Sequence, residues 1–385
     1  MSSFLAGNEI TLLESGREFF PALRDAIDAA RYEVYLETYI FEHDAAGTLI
    51  ADALRAATRR GVQVHLLVDG FGSRGFVSAL MPGLVADGVQ VMIFRRELRT
   101  FSLRRHRLRR MHRKLAVIDA AVAFVGGINI IDDMPRSGPD RPRYDYAVRV
   151  EGPLLEPIAG AAQHLWRLVS WASLRRRLHE PLLAPPRIKP AGPVRAAFLT
   201  RDNLRHRRDI EDAYLEAIGA ATREIVIACA YFFPGRRFRQ ALVDAAARGV
   251  AVTLLLQGVS DHPTQFYATR ALYPFFLERG IRLYEYHHSY LHAKVAVVDA
   301  RWSTIGSSNI DPFSLLLARE ANVVIEDAAF ARRLRASLAR AMEEGARELR
   351  REDSHRLPTV RRVASWFAYQ FVRLAIGLAG YGGKH

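Results

Sequence analysis

The chain has 385 residues, half of them hydrophobic and a quarter charged, so it can form two globular domains and is not an intrinsically disordered protein. Its formal net charge of +14 predicts anionic partners, namely nucleic acid, acidic lipid surfaces or phosphate-bearing substrates, although a solvated basic surface would give the same composition. The single cysteine, Cys229, excludes an intramolecular disulfide and lies in an apolar run typical of a buried strand.

Alternating helices and strands recur as two similar series along the chain. The N-terminus lacks a basic region followed by an apolar core, and no long uncharged apolar run occurs, so neither a signal peptide nor an ordinary transmembrane helix is expected. Apolar runs of the first series match runs of the second: 32–41 with 223–232, 61–70 with 249–258, and 88–94 with 280–286. This organisation predicts an α/β protein of two pseudo-symmetric domains, each a central mixed sheet flanked by helices.

Changes in composition set the expected domain boundaries. The N-terminal domain is expected to cover residues 1–180, and a proline-rich connection follows at 181–195, because closely spaced prolines disfavour a helix or a central strand. The C-terminal domain is expected to cover 196–350 and to close with a helix over 327–351. Residues 351–385 form an aromatic and basic tail, which suits either a helix in the membrane interface or one packed on the protein's own core.

The most specific feature is the pattern His-x-Lys-x-x-x-x-Asp, which occurs twice with an offset of 180 residues and is followed each time by Gly and Asn. The matched residues are His112 and His292, Lys114 and Lys294, Asp119 and Asp299, and Asn129 and Asn309. Only four of the 55 basic residues are lysines, and two of these lie inside the copies, which indicates that the site requires ammonium groups rather than guanidinium groups. The repetition predicts one active site built from two halves.

These residue types suit phosphoryl transfer without a metal or a cofactor. One neutral imidazole can attack phosphorus while the second protonates the leaving group, and lysine and asparagine donors can stabilise the phosphate oxygens. A zinc site is not expected, because neither a cysteine pair nor a His-x-x-x-His spacing accompanies the copies.

Each histidine needs an acceptor that fixes its tautomer, and a carboxylate precedes an apolar β-type run downstream of each copy. We expect Asp145 to orient His112 and Glu320 to orient His292. An ordinary surface carboxylate is the alternative interpretation for both acids.

The motif aspartates, Asp119 and Asp299, belong to the candidate catalytic set but end apolar strands. We expect them to be structural and to bond to turn amides near the site. Copy one has Gly127 where copy two has Ser307, so a hydroxyl group near the phosphate is expected only from the second half.

The densely basic segment 95–114 leads directly into the first copy. It is interpreted as a funnel for anionic headgroups or a grip on a second phosphate, with a solvated loop as the alternative.

The duplicated motif resembles that of the phospholipase D superfamily, and the resemblance extends to the bacterial cardiolipin synthases of the B-type. It is carried by ETYIFEHD, HRKLAVIDAAVAFVGGIN, YDYAVRVEGP, LHAKVAVVDARWSTIGSSNIDPFSLLLAREANVVIED and the aromatic tail, and covers essentially the whole chain. The resemblance implies a single site between two phospholipase D-like domains, with His112 as nucleophile and His292 as acid and base. It also implies a phosphohistidine intermediate, and the formation of cardiolipin and glycerol from two molecules of phosphatidylglycerol.

The implied partners are phosphatidylglycerol and other anionic phospholipids, bound peripherally at the cytoplasmic side of the inner membrane. No nucleic acid partner is expected. The alternatives are a hydrolase of the same superfamily, acting on phospholipid or nucleic acid, and a catalytically silent membrane-binding module.

Overall fold

The computed structural model describes residues 3–95, 110–134, 141–173, 189–202, 206–259, 263–311, 318–352, 365, 367–372 and 374. The strands of the first half are β1 (Leu5–Glu14), β2 (Glu33–Thr38), β3 (Gln63–Asp69), β4 (Gln90–Phe94), β5 (Lys114–Ile118), β6 (Val122–Gly126) and β7 (Tyr146–Glu151). Those of the second half are β8 (Val194–Arg201), β9 (Glu224–Cys229), β10 (Ala251–Gln257), β11 (Arg282–Tyr286), β12 (Lys294–Val298), β13 (Trp302–Gly306), β14 (Glu320–Glu326) and β15 (Ala346–Leu349).

Helices follow most of the parallel strands. They are α1 (Ser15–Asp28), α2 (Ala45–Arg59), α3 (Arg74–Ala79), α4 (Met81–Ala86), α5 (Leu155–Ala172), α6 (Asp209–Ala220), α7 (Arg236–Ala247), α8 (Pro263–Arg270), α9 (Tyr273–Leu277) and α10 (Ala328–Gly345). The carboxylate of Asp327 caps α10 by accepting the N–H of Phe330 at 2.7 Å. The same helix buries Phe330, Leu334 and Leu338 at helical spacing.

The described strands form one continuous sheet with matching order on its two sides. The first half runs β1-β7-β6-β5-β2-β3-β4, and the second runs β8-β14-β13-β12-β9-β10-β11 with β15 at its edge. Strands β1 and β8 pair antiparallel at the centre and join the halves. Three successive strands are parallel in each half, β2-β3-β4 and β9-β10-β11, and the strands between them and the centre are antiparallel, which confirms the predicted pair of mixed α/β units.

The buried apolar side chains of the described residues form three hydrophobic clusters. One lies on a face that the two halves share, where α5 and α10 pack against strands of both. Helices α1 to α4 cover the other face of the first half, and α6 to α9 cover that of the second. The shared cluster therefore fixes the position of one half relative to the other.

Two predicted boundaries differ from the structure. The helix expected over 327–351 ends at Gly345, because the following residues pair antiparallel with β11 as the edge strand β15. The expected connection at 181–195 already contains the first residues of β8, while residues 181–188 lie outside the described part of the chain. Cys229 is buried at the end of β9, as predicted.

Only a few residues of the tail are described. Tyr369 packs against Phe233 with ring centroids 5.3 Å apart, and Val372 is buried in the cluster of the second half. Large apolar side chains of the same segment are exposed to solvent: Phe367, Phe371 and Leu374. No helix within the described residues is long and apolar enough to cross a membrane.

Candidate active site

The two histidines lie just before β5 and β12, and each is attached to the opposite half through its backbone. The N–H of His112 donates to the carbonyl of Arg319 at 2.9 Å, and the N–H of His292 donates to the carbonyl of Tyr144 at 2.8 Å. Because Arg319 precedes Glu320 and Tyr144 precedes Asp145, each bond also brings a carboxylate next to a histidine. The predicted single site between two halves therefore has a structural basis in these crossed contacts.

The carboxylates are paired with the histidines across the halves, so the expected pairing within each half is wrong. Nδ1 of His112 lies 2.9 and 3.2 Å from the two carboxylate oxygens of Glu320, and Nδ1 of His292 lies 2.5 Å from Oδ2 of Asp145. Strands β6 and β7 lie close to β13 and β14, and the crossed backbone bonds place Asp145, just before β7, and Glu320, the first residue of β14, beside the histidines of the opposite half. Both acids are buried, which excludes the surface alternative.

Burial and the neighbouring charges set the protonation of the histidines. Burial lowers the pKa of His112, with Glu320 opposing the shift and Lys114 adding to it. Burial and the charge of Lys294 lower the pKa of His292 to about 4, although Asp145 opposes this shift. Both imidazoles are therefore neutral near pH 7. Because a carboxylate oxygen accepts the Nδ1–H, the lone pair of Nε2 is left for attack on an electrophile.

The lysines are the first residues of β5 and β12, two positions after the histidines, and both are buried. Nζ of Lys114 donates to the carbonyl of His112 at 2.6 Å, and Nζ of Lys294 donates to that of His292. Burial lowers the pKa of Lys114 to about 7, while Glu320 raises it and Lys294 lowers it further. An arriving phosphate anion would favour the charged form of this lysine.

The asparagines are buried in both halves but differ in their contacts. Oδ1 of Asn129 accepts the N–H of Ile40 at 3.1 Å, which fixes the amide and leaves its NH₂ group as a donor. Within the described residues, Oδ1 of Asn309 has no hydrogen-bond partner. Their contact with phosphate stays a prediction.

Ser307 and Gly127 occupy matched positions and make the two acids unequal. A Cβ atom on Gly127 would lie 2.4 Å from Oδ1 of Asp145, so a side chain does not fit there. Oγ of Ser307 instead donates to Oε2 of Glu320 at 2.5 Å and accepts the N–H of Ala321 at 3.0 Å. The hydroxyl thus holds the carboxylate that orients His112, and a direct contact with phosphate stays a prediction.

The motif aspartates are structural, as expected, but they do not lie near the site. Asp119 accepts the N–H groups of residues 31–33 at 2.8–2.9 Å, and Asp299 accepts those of residues 222–224 at 2.8–2.9 Å. Each aspartate lies five positions after its lysine, which corresponds to roughly 16 Å along the strand. They hold the turns at the opposite ends of β5 and β12.

Sequence reasoning missed two neighbours of the first histidine. The ring of Tyr39 lies edge-on to His112 at 4.8 Å between centroids and 5.5 Å from Nζ of Lys114. Arg113 forms a buried ion pair with Glu37 and donates to the carbonyl of Ala161 at 2.8 Å, which anchors the motif to α5.

Neither a metal site nor the proposed basic funnel can be built from the described residues. Within them, no group of three or more His, Cys, Asp or Glu side chains is arranged to hold a metal ion. Of the basic segment 95–114, residues 96–109 lie outside the described part of the chain. The funnel stays a prediction.

Comparison with solved structures supports the fold. The chain superimposes on a phosphatidylserine synthase of Haemophilus influenzae with a TM-score of 0.65 and 14% identity, covering 99% of this chain and 97% of the other. At that identity the likeness concerns the fold alone.

Comparison of sequences is more specific. A family model described as cardiolipin synthase, PLD-like domain, matches residues 23–140 and 214–342. Cardiolipin synthase B of Escherichia coli K12 is 42% identical over 87% of this chain and 81% of its own length. Cardiolipin synthase A of Pseudomonas entomophila is 34% identical over 92% of this chain and 73% of its own length. The chain belongs to the cardiolipin synthase family of phospholipase D-like proteins, and its resemblance to the B-type is confirmed.

Proposed function

We propose that this protein is a cardiolipin synthase that transfers a phosphatidyl group between two molecules of phosphatidylglycerol. The observation that carries the proposal is the crossed pairing of two neutral histidines with carboxylates of the opposite half, His112 with Glu320 and His292 with Asp145. Two buried lysines lie next to these pairs. Two imidazoles on one site allow one to attack while the other moves protons. The similarity to cardiolipin synthase B supports phosphatidylglycerol as the donor and acceptor.

The reaction follows from this arrangement in two displacements. The phosphate anion of the bound phosphatidylglycerol and the carboxylate of Asp145 favour protonation of His292 at Nε2. Nε2 of neutral His112 attacks the phosphorus, and the departing glycerol oxygen takes the Nε2 proton of the His292 imidazolium. The P–O bond breaks as the P–N bond forms, which leaves a phosphatidyl group on His112. Neutral His292 then removes the proton from a hydroxyl of the second phosphatidylglycerol, whose oxygen displaces Nε2 and gives cardiolipin. One glycerol is released and no nucleotide is consumed.

The charged groups have defined parts in these steps. Lys114 and Lys294 supply positive charge beside the phosphate. This charge stabilises the negative charge that spreads over the phosphate oxygens in the transition state. Glu320 and Asp145 hold the histidines in one tautomer and stabilise each imidazolium as it forms.

A product assay tests the proposal. Purified protein would be incubated with phosphatidylglycerol in mixed micelles and EDTA, with His112→Ala and His292→Ala as controls, and the lipids read by mass spectrometry. Cardiolipin with an equal amount of glycerol is expected from the wild type alone. Phosphatidic acid without cardiolipin would show that water is the acceptor and that the protein is a hydrolase.

We also propose that the protein binds peripherally to the cytoplasmic side of the inner membrane. The exposed aromatic side chains of the tail lie beside the buried Val372, so this segment presents an apolar surface while it is held to the protein. The net charge of +14 favours anionic lipid.

Replacing Phe367 and Phe371 by Ser is expected to weaken binding to phosphatidylglycerol vesicles at least fivefold in co-sedimentation, with phosphatidylcholine vesicles as the reference. Unchanged binding would exclude these side chains from the lipid contact.

A further inference from the structure

In each half, a polar side chain at the end of a parallel strand contacts the backbone just before the histidine. Asp69 is the last residue of β3, and Gln257 is the last residue of β10. Both are buried, with exposed fractions of 0% and 6%. They occupy matched positions in the two series, in the segments LLVDG and LLLQG.

Both side chains accept the backbone N–H of the residue that precedes a histidine. Oδ2 of Asp69 accepts the N–H of Met111 at 3.0 Å, and Oε1 of Gln257 accepts the N–H of Leu291 at 2.5 Å. Met111 and Leu291 are themselves buried, so a lost acceptor would leave an unpaired amide away from water. Neither side chain belongs to the motif that defines the site.

We propose that Asp69 and Gln257 are positioning residues, each of which holds the backbone in front of the reactive imidazole of its own half. The opposite half fixes the N–H and Nδ1 of each histidine, while the same half fixes the peptide before it. Each imidazole is thus held from two sides, which limits the freedom of Nε2 with respect to phosphorus. A carboxylate and a carboxamide share this role, so an acceptor oxygen is required rather than a negative charge.

The two positions differ in what else they hold. Oδ1 of Asp69 also accepts the N–H groups of Phe71 at 2.8 Å and Gly72 at 3.4 Å, and it lies 3.8 Å from Nη1 of Arg110. Substitution of Asp69 therefore disturbs the loop after β3 as well as the peptide at Met111. Gln257 provides the cleaner test, since within the described part of the chain its side-chain oxygen accepts only the N–H of Leu291.

The test compares variants that keep or remove the acceptor. Gln257→Leu is expected to lower kcat for cardiolipin formation at least tenfold with less than a twofold change in KM, because lipid binding is intact while the imidazole is poorly aligned. Gln257→Glu keeps an acceptor and is expected to stay within threefold of the wild-type kcat. Asp69→Leu is expected to lower kcat at least as much as Gln257→Leu, and Asp69→Asn to restore part of the loss.

Hydrogen exchange without substrate gives a second readout, which does not depend on the proposed function on which the rate measurement rests. The peptide containing the Leu291 amide should exchange at least tenfold faster in Gln257→Leu, while the peptide containing Met111 stays unchanged. The reverse is expected in Asp69→Leu. If the wild type forms no cardiolipin, hydrolysis of bis(4-nitrophenyl) phosphate replaces the rate assay and the exchange result still decides.

Asp327→Ala serves as the control for lost stability, because it removes only the cap of α10. It should lower the melting temperature and leave kcat unchanged. The proposal is overturned if Gln257→Leu keeps the wild-type kcat, if Gln257→Glu loses as much as Gln257→Leu, or if exchange rises uniformly across the sheet.

Discussion

Removing the charge of Glu320 should slow the reaction through His112 and leave His292 in its native state. Glu320→Gln keeps the size of the side chain, and its amide can still meet Ser307. With 2.9 Å between Nδ1 and Oε1 and an effective dielectric constant of about 20, the ion pair formed with an imidazolium is worth about 6 kcal/mol. The lysines nearby reduce the net gain, so we expect kcat to fall by roughly 10²–10⁴-fold.

Two-dimensional NMR of ¹³C-labelled histidine identifies which imidazole responds. The signals would be assigned from His112→Ala and His292→Ala, and each would be titrated in both acid variants. Glu320→Gln should lower the pKa of His112 further and leave the titration of His292 nearly unchanged, because the carboxylate raises the pKa of the histidine that it contacts. Asp145→Asn is the matched variant and should act on His292 alone.

The opposite response would refute the crossed pairing. If Glu320→Gln shifted His292, or if both variants shifted both histidines equally, the acids would not act through the contacts described above. A full wild-type rate in Glu320→Gln would remove the carboxylate from the mechanism altogether.

Three further predictions concern neighbouring groups. In the wild type, kcat/KM should fall as the pH rises through about 7, because Lys114 loses its proton. The Lys114→Arg variant should have a lower kcat/KM at every pH, and a pH profile of its kcat/KM should not show this decline. Ser307→Ala should lower kcat about five- to thirtyfold in the product assay, since it removes about 1–2 kcal/mol of hydrogen bonding to Glu320; an unchanged kcat would contradict that role. Burial lowers the pKa of His65 to about 4. As the pH falls below about 6.5, the unfolded chain therefore binds a proton at this histidine while the folded chain does not. The folded state loses stability over this range, until the pH reaches about 4. Urea unfolding should show a loss of up to about 3 kcal/mol over this range, and His65→Phe, which keeps a ring stacked on Tyr35, should show a smaller one.

The repeat was predictable because apolar runs of similar sequence recur in the same order in both halves. The runs 32–41 and 223–232 each carry an uninterrupted buried strand, and the following runs repeat in the same order. Strands β1 and β15 gave no such signal: β1 mixes exposed and buried positions, and β15 continues the polar composition of the helix before it. Their places are decided by pairing with β8 and β11, which are distant in the chain.

The members of the site were predictable, but their partners were not. Spacing identified the histidines and lysines, and the acids were found as carboxylates before apolar runs. Which acid meets which histidine depends on how β6 and β7 pack against β13 and β14, and this information is absent from the spacing. The contact between Tyr39 and His112 was not predictable for a similar reason, since a strand end gives no sign that a histidine 73 residues later will lie against it.

The crossed contacts make the two halves one catalytic unit. Each histidine takes its orienting carboxylate and a backbone acceptor from the opposite half, so neither half can assemble a complete histidine and acid pair from its own residues. Alignment of both imidazoles then depends on the joint between β1 and β8 and on the core that α5 and α10 share. A small rotation of one half would move both carboxylates away from both histidines at once. Core packing that is remote from the histidines therefore contributes to catalysis, because it keeps the two halves in register.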